Sequence, residues 1–116
     1  MSDAPETITP AIKRGSAELA ILAVLAERPL HGYEISKQIE RETRGALSFN
    51  LASLYPMLYR LEKRGWVKGV WGTADSGRER RYYRLTAAGK KKLATLGQQW
   101  RFFFQALDRL MGVARA

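Results

Sequence analysis

Eleven cationic side chains, Arg60, Lys63, Arg64, Lys68, Arg78, Arg80, Arg81, Arg84, Lys90, Lys91 and Lys92, crowd one third of the chain against three acidic ones, Glu62, Asp75 and Glu79. That stretch alone carries +8 of the formal +9, so the positive charge is concentrated rather than spread. The chemistry of such a cluster is the binding of a polyanion, nucleic acid first and an anionic membrane surface second, with a solvated, solubilising surface as the bland alternative. Other chemistry has little to work with. There is one histidine, His31, and no cysteine, which excludes thiolate metal sites, cysteine nucleophiles and disulfides, while a single imidazole makes no metal site. No glycine loop is shaped to cradle a phosphate and no carboxylates pair convincingly, so neither an enzyme, a cofactor nor a metal is expected.

The 116 residues, 46% apolar and 27% charged, fit one globular domain. Residues 1 to 15 lack the apolar stretch of a signal peptide. The longest apolar run, Leu19 to Ala26, is far too short for a bilayer of about 30 Å. A cytoplasmic protein without membrane contact is expected, and the absence of cysteine accords with a reducing compartment.

The elements that position the cations follow from pattern. Residues 1 to 8 are polar and aperiodic and read as a flexible leader. A first helix starts at Thr9-Pro10, or later at Gly15-Ser16, and ends near Arg28. Its centre, LAILAVLA, is apolar on nearly every face, the mark of a helix surrounded by protein. A second, amphipathic helix begins around Leu30-His31-Gly32, buries Ile35 and Ile39, and ends before Gly45. The third, LASLYPMLYRLEKRG, turns Leu54, Leu58 and Leu61 inward and stops at Gly65. Ala52, Pro56, Tyr59 and Lys63 then face outward, flanked by Ser53 and Arg60. Because Pro56 has no amide proton, a start near Ala52 keeps it in the first turn; otherwise the helix kinks.

Trp66 to Trp71 reads as a strand, Gly72 to Gly77 as a turn and Arg78 to Leu85 as the returning strand, with Tyr82 and Tyr83 on opposite faces. Thr86 caps a last helix from Ala87 to near Met111. There Leu93, Leu96, Trp100, Phe103, Leu107 and Leu110 alternate spacings of three and four, a heptad seam.

This order predicts a mainly α fold with a two-stranded β-hairpin: a winged helix-turn-helix over residues 9–85 and a C-terminal dimerisation helix over 86–116. The third helix is of a size to enter a major groove about 12 Å wide while the hairpin lies on the neighbouring backbone. Base reading falls to Ser53, Tyr55, Pro56, Tyr59 and Arg60, and whichever of Tyr55 and Tyr59 faces the backbone positions rather than specifies. Lys63, Lys68, Arg78, Arg80 and Arg81 are candidate phosphate or minor-groove contacts. His31 reads as a cap or a phosphate contact, with Tyr33 beside it. The terminal seam (Leu93, Leu96, Trp100, Phe103, Leu107, Leu110) should find a partner chain, and a two-fold dimer sets two recognition helices about 34 Å apart on a pseudo-palindromic double-stranded operator. Two alternatives remain open at this level, a nonspecific architectural nucleic-acid binder and a ligand-sensing module built on Trp100.

Three segments, LAILAVLAERPLHGYEI at Leu19 to Ile35, SLYPMLYRLEKRGWV at Ser53 to Val67 and RRYYRLTAAGKKKL at Arg80 to Leu93, together resemble the PadR-like family of transcriptional regulators. The resemblance spans about residues 16 to 111 and implies a dimeric winged helix-turn-helix, usually a repressor, whose C-terminal helix packs on its partner. With a single helix after the hairpin, the chain is similar to the short subgroup that includes multidrug-sensing repressors. In that subgroup a tryptophan on the last helix lines a cavity at the dimer centre and stacks on planar aromatic effectors. Trp100 falls at that place, which makes Trp100, Phe103 and Phe104 the candidate effector site. The run Phe102 to Phe104 departs from the subgroup's pattern and either fills or lines such a cavity.

Overall fold

The computed structural model describes residues 10–112, so the expected leader and the last four residues of the terminal segment lie outside it. Seven elements follow one another: α1 (Pro10–Leu25), β1 (Leu30–His31), α2 (Gly32–Glu42), α3 (Leu51–Lys63), β2 (Val67–Thr73), β3 (Glu79–Leu85) and α4 (Ala87–Met111). α1 is central, packing against α2, α3, α4 and β3. That is why its sequence is apolar almost all round: Ala17, Ile21, Leu22, Val24 and Leu25 are all buried. Ile35 and Ile39 of α2 and Leu54, Leu58 and Leu61 of α3 meet them, and Val67, Tyr83 and Leu85 close the core from the sheet.

The strands form an antiparallel sheet in the order β1-β3-β2. The hairpin pairs Val67 with Leu85 and Thr73 with Glu79. β1 adds two residues that the sequence placed at the start of the second helix, pairing Leu30 with Tyr83 and His31 with Tyr82. Two residues are too few to show a period, so only the free edge of β3 reveals them.

Each helix boundary has a local cause. In α2 the Glu34 N–H donates to His31 Nδ1 at 3.3 Å and the His31 N–H donates to Glu34 Oε1 at 3.1 Å, a reciprocal capping box. α3 starts one residue before the expected Ala52, because Asn50 caps it, accepting from the Ser53 N–H at 2.8 Å. Pro56 therefore stands in the second turn, and the helix forgoes the bond an amide there would give to the Ala52 carbonyl. The end of α3 is a Schellman motif. Gly65 at φ +78 lets its own N–H reach the Glu62 carbonyl and the Trp66 N–H reach that of Leu61. Thr86 caps α4, accepting from the Gly89 N–H at 3.0 Å while its hydroxyl donates to the Gly65 carbonyl at 2.6 Å. α4 is thereby fixed to the end of α3, and its 25 residues extend about 37 Å, much of the 51 Å length of the protein.

Candidate nucleic-acid interface

Burial of Leu54, Leu58 and Leu61 decides which way α3 presents its remaining side chains. Ala52, Ser53, Pro56, Tyr59, Arg60 and Lys63 are all exposed, Tyr59 to 63%. The Lys63 ammonium lies 5.5 Å from the centre of the Tyr59 ring, which ties an aromatic and a cation into one outward patch. Ser53, with its N–H capped by Asn50, sits in the first turn, where a recognition helix brings side chains to base edges.

Tyr55 is exposed too, to 44%, but its ring is placed differently. Its ring lies against α2, so close that a Cβ on Gly32 would fall 2.6 Å from the Tyr55 hydroxyl. A stripe of α3 made by Tyr55 and Glu62, seven residues apart, faces α2 and the sheet rather than the outward patch. Tyr83, buried between them on β3, has its hydroxyl held above the ordinary tyrosine value chiefly by burial, with Glu62 and Tyr55 pushing the same way and the Arg81 guanidinium opposing.

The hairpin divides its cations by face. Register puts Lys68 opposite Arg84 and Gly72 opposite Arg80, on the side shared with Tyr82. Lys68, Arg78 and Arg84 are exposed and Arg80 is half-buried. Among the described residues no acidic side chain pairs with these four, nor with Arg60 or Lys63. Arg81 points to the other face and is committed: its Nη2 donates to Glu62 Oε2 at 2.7 Å, and its guanidinium lies 5.6 Å over Tyr83. The expectation that Arg81 is an open phosphate contact like Arg80 thus meets an internal ion pair. Arg64 is likewise occupied, donating to Glu18 at 2.7 Å.

His31 is 8% exposed; it serves α2 as its cap and stands edge-on to Tyr82 at 5.3 Å. Tyr33 is exposed beside Lys37. The fold gathers His31, Tyr33 and Arg80 with Arg28, Glu34, Tyr82 and the hairpin tip, Ala74 to Ser76, around one cleft of about 490 Å³. Sequence reasoning singles out neither Arg28 of this cleft nor Trp71, which lies on the other face of the hairpin, beside Arg81. Arg28 joins only because the end of α1 approaches the hairpin. Trp71, 67% exposed on β2, looks strand-forming by type alone, although a large bare aromatic on a basic hairpin is itself a signal of contact.

A wing and an adjacent helix with such faces are the parts of a DNA reader. The profile described as the transcriptional regulator PadR-like family matches residues 21–95. The chain belongs to that family. As a PadR-like regulator it carries the DNA-binding winged helix-turn-helix, and it is not an enzyme. A transcriptional regulator of Mycobacterium tuberculosis is 33% identical over 81 residues, covering 70% of this chain and 72% of its own. A transcriptional regulator from Clostridium thermocellum superposes with a TM-score of 0.79 at 31% identity, over 89% of this chain and 97% of its own. A PadR family regulator from Eggerthella lenta superposes at 0.76 with 28% identity, over 87% and 86%.

The long helix of this PadR-like chain splits in two. Leu93 and Leu96, expected in the partner seam, are half-buried against the chain's own core, because the capped start of α4 is already docked there. Trp100 and Leu107 are half-buried, while Phe102, Phe103, Phe104, Leu110 and Met111 stand exposed. Trp100 meets Phe103 edge-on at 5.8 Å and Phe104 at 5.5 Å. It borders two clefts of about 310 Å³ each, one with Gln99 and Phe103, the other with Ser16, Leu19, Thr43, Ala46, Leu47 and Phe104. No helix among the described residues is long and apolar enough to cross a membrane.

Proposed function

We propose that this chain is a homodimeric, sequence-specific repressor acting in the cytoplasm on a pseudo-palindromic operator. The observation that carries the reading is the outward patch of α3 (Ser53, Pro56, Tyr59, Arg60, Lys63) set beside wing cations Lys68, Arg78, Arg80 and Arg84, none of them with an acidic partner among the described residues. Ser53, Tyr59 and Arg60 read base edges; the wing cations, with Arg28, Tyr33 and the α2 cap at His31, hold the backbone. Residues 9–85 form the DNA-binding unit and 86–116 the dimerisation segment. Five large apolar side chains left bare on the second half of α4 support a partner helix there. Repression is what the short-subgroup resemblance supports, and occupancy of a promoter is sufficient for it.

Titration of a labelled promoter fragment at several salt concentrations tests the proposal. Log affinity should fall with log salt at about 0.9 per phosphate neutralised, with two protected half-sites about one helical turn apart. Equal affinity for every duplex, and a footprint without half-sites, would instead establish a nonspecific architectural binder.

A second reading, relief of binding by a planar aromatic effector, is favoured by Trp100 between its two clefts, with Phe103 and Phe104 lining them rather than filling them. Planar dyes should quench tryptophan emission, and Trp100→Ala should abolish the effect; quenching that persists in the variant assigns it to Trp66 or Trp71 and removes the effector reading.

A further inference from the structure

We infer that Glu62 and Arg81 form a latch that sets the wing against the recognition helix, and that the pair governs DNA affinity by positioning the wing without touching DNA. The inference rests on the DNA-binding reading above and goes beyond it in giving Glu62 a role. A carboxylate at the end of the recognition helix, inside the most basic third of the chain, is unfavourable to a phosphate backbone unless it does something else.

The geometry shows what it does. One oxygen, Glu62 Oε2, accepts from Arg81 Nη2 at 2.7 Å and from the Gly69 N–H at 3.1 Å, so a single carboxylate on α3 holds both strands of the hairpin near its middle. To reach it, the Arg81 guanidinium crosses β2 at Gly69, where a Cβ would lie 2.5 Å from Arg81 Nε; glycine is what leaves the passage open. Tyr83 floors the guanidinium from below. The pair is only partly exposed, the Glu62 side chain to 26% and that of Arg81 to 39%, so solvent screens it less than an open surface pair. Beyond the latch the hairpin continues to Arg78 and Arg80, and their reach to the DNA backbone depends on the angle fixed at Gly69.

Charge and positioning predict opposite signs for one substitution. Glu62→Ala removes a negative charge, so by electrostatics alone DNA should bind more tightly. If Glu62 is a latch, binding weakens by roughly tenfold and the salt slope drops by about one to two, because distal wing contacts are lost. Glu62→Gln keeps an oxygen acceptor for both donors and should recover most of the affinity despite lacking the charge. Arg81→Ala added to Glu62→Ala should cost little more, since both act through one contact. Circular-dichroism melts of each variant separate unfolding from repositioning, and Glu62→Gln remains the informative variant if Glu62→Ala fails to fold. Tighter binding by folded Glu62→Ala, or an Arg81→Ala loss in slope that adds in full to that of Glu62→Ala in the double variant, overturns the latch. Wild-type protein without operator preference would sink the regulator reading separately, and the same sign comparison on bulk duplex would still decide the latch.

Discussion

Two glycines on one helix should respond to the same substitution with opposite signs. Gly89 is the third residue of α4, and a Cβ there would lie 2.0 Å from the Trp66 carbonyl oxygen and 2.7 Å from Leu85 Cδ1. The carbonyl has little freedom to retreat because it accepts the Thr86 N–H at 3.0 Å. Overpacking against fixed backbone costs about 3 kcal/mol, from which the better helix propensity of alanine recovers at most about 1. Gly89→Ala should therefore lose about 2 kcal/mol, which in a domain of this size lowers Tm by roughly 10 °C. At Gly97 the nearest atoms are the mobile Arg101 guanidinium nitrogens, at 3.7 and 3.8 Å. There the propensity gain stands alone, and Gly97→Ala should raise Tm by about 3–6 °C. Thermal melts followed at 222 nm, all at one protein concentration because the proposed dimer would couple Tm to concentration, give both numbers. Melting of Gly89→Ala at or above the wild-type temperature would refute the docking of α4 on the end of α3.

Arg44 adopts φ +53 in the turn after α2, a conformation costly for a side chain, so Arg44→Gly should stabilise by about 0.5–1 kcal/mol, readable as a higher urea midpoint. His31→Ala should lose about 1–2 kcal/mol through the α2 cap, and His31→Asn, which restores an acceptor, should recover part of it in the same denaturation series. Burial raises the Tyr83 hydroxyl above the ordinary 10.0, so the unfolded chain gives up that proton first. Stability is full below the ordinary value and is lost as pH climbs through and above it, and Tyr83→Phe should flatten that alkaline limb in pH-dependent melts.

Much of this architecture is legible because the signals repeat. The apolar stripe of α3, the Thr86 cap and the extent of α4 each rest on several residues that agree, and the structure places them within a residue or two. What escapes is geometry between elements. Alternation on β3 separates Arg80 from Arg81 as surely as it separates Tyr82 from Tyr83, yet only the approach of Glu62 shows that the inner arginine is occupied. Tyr55 stands about 90° from the Leu54, Leu58 and Leu61 stripe, and only the bare backbone of Gly32 shows that its ring leans on α2 while remaining exposed. Leu93 and Leu96 share a period with Leu107 and Leu110, but a period cannot tell a helix face that meets its own core from one awaiting a partner.

The pairing of cations bounds the electrostatics more tightly than the net charge does. Of the basic residues on α3 and the wing, Arg64 is bound to Glu18 and Arg81 to Glu62, which leaves Arg60, Lys63, Lys68, Arg78, Arg80 and Arg84 without an acidic partner among the described residues. Six such residues per protomer, with Arg28 as a seventh, each neutralising one phosphate, limit the proposed dimer to a salt slope of about 13. Each exposed cation removed singly should lower the slope by about one per protomer, whereas Arg64→Ala should leave it unchanged and reduce stability alone. A slope well above the limit would bring Lys90 and Lys91, exposed near the start of α4, into contact with DNA. A slope that falls with Arg64→Ala as much as with Arg60→Ala would show that internal pairing does not withhold a cation from the interface, and the division of the wing into reaching and anchoring residues would fail with it.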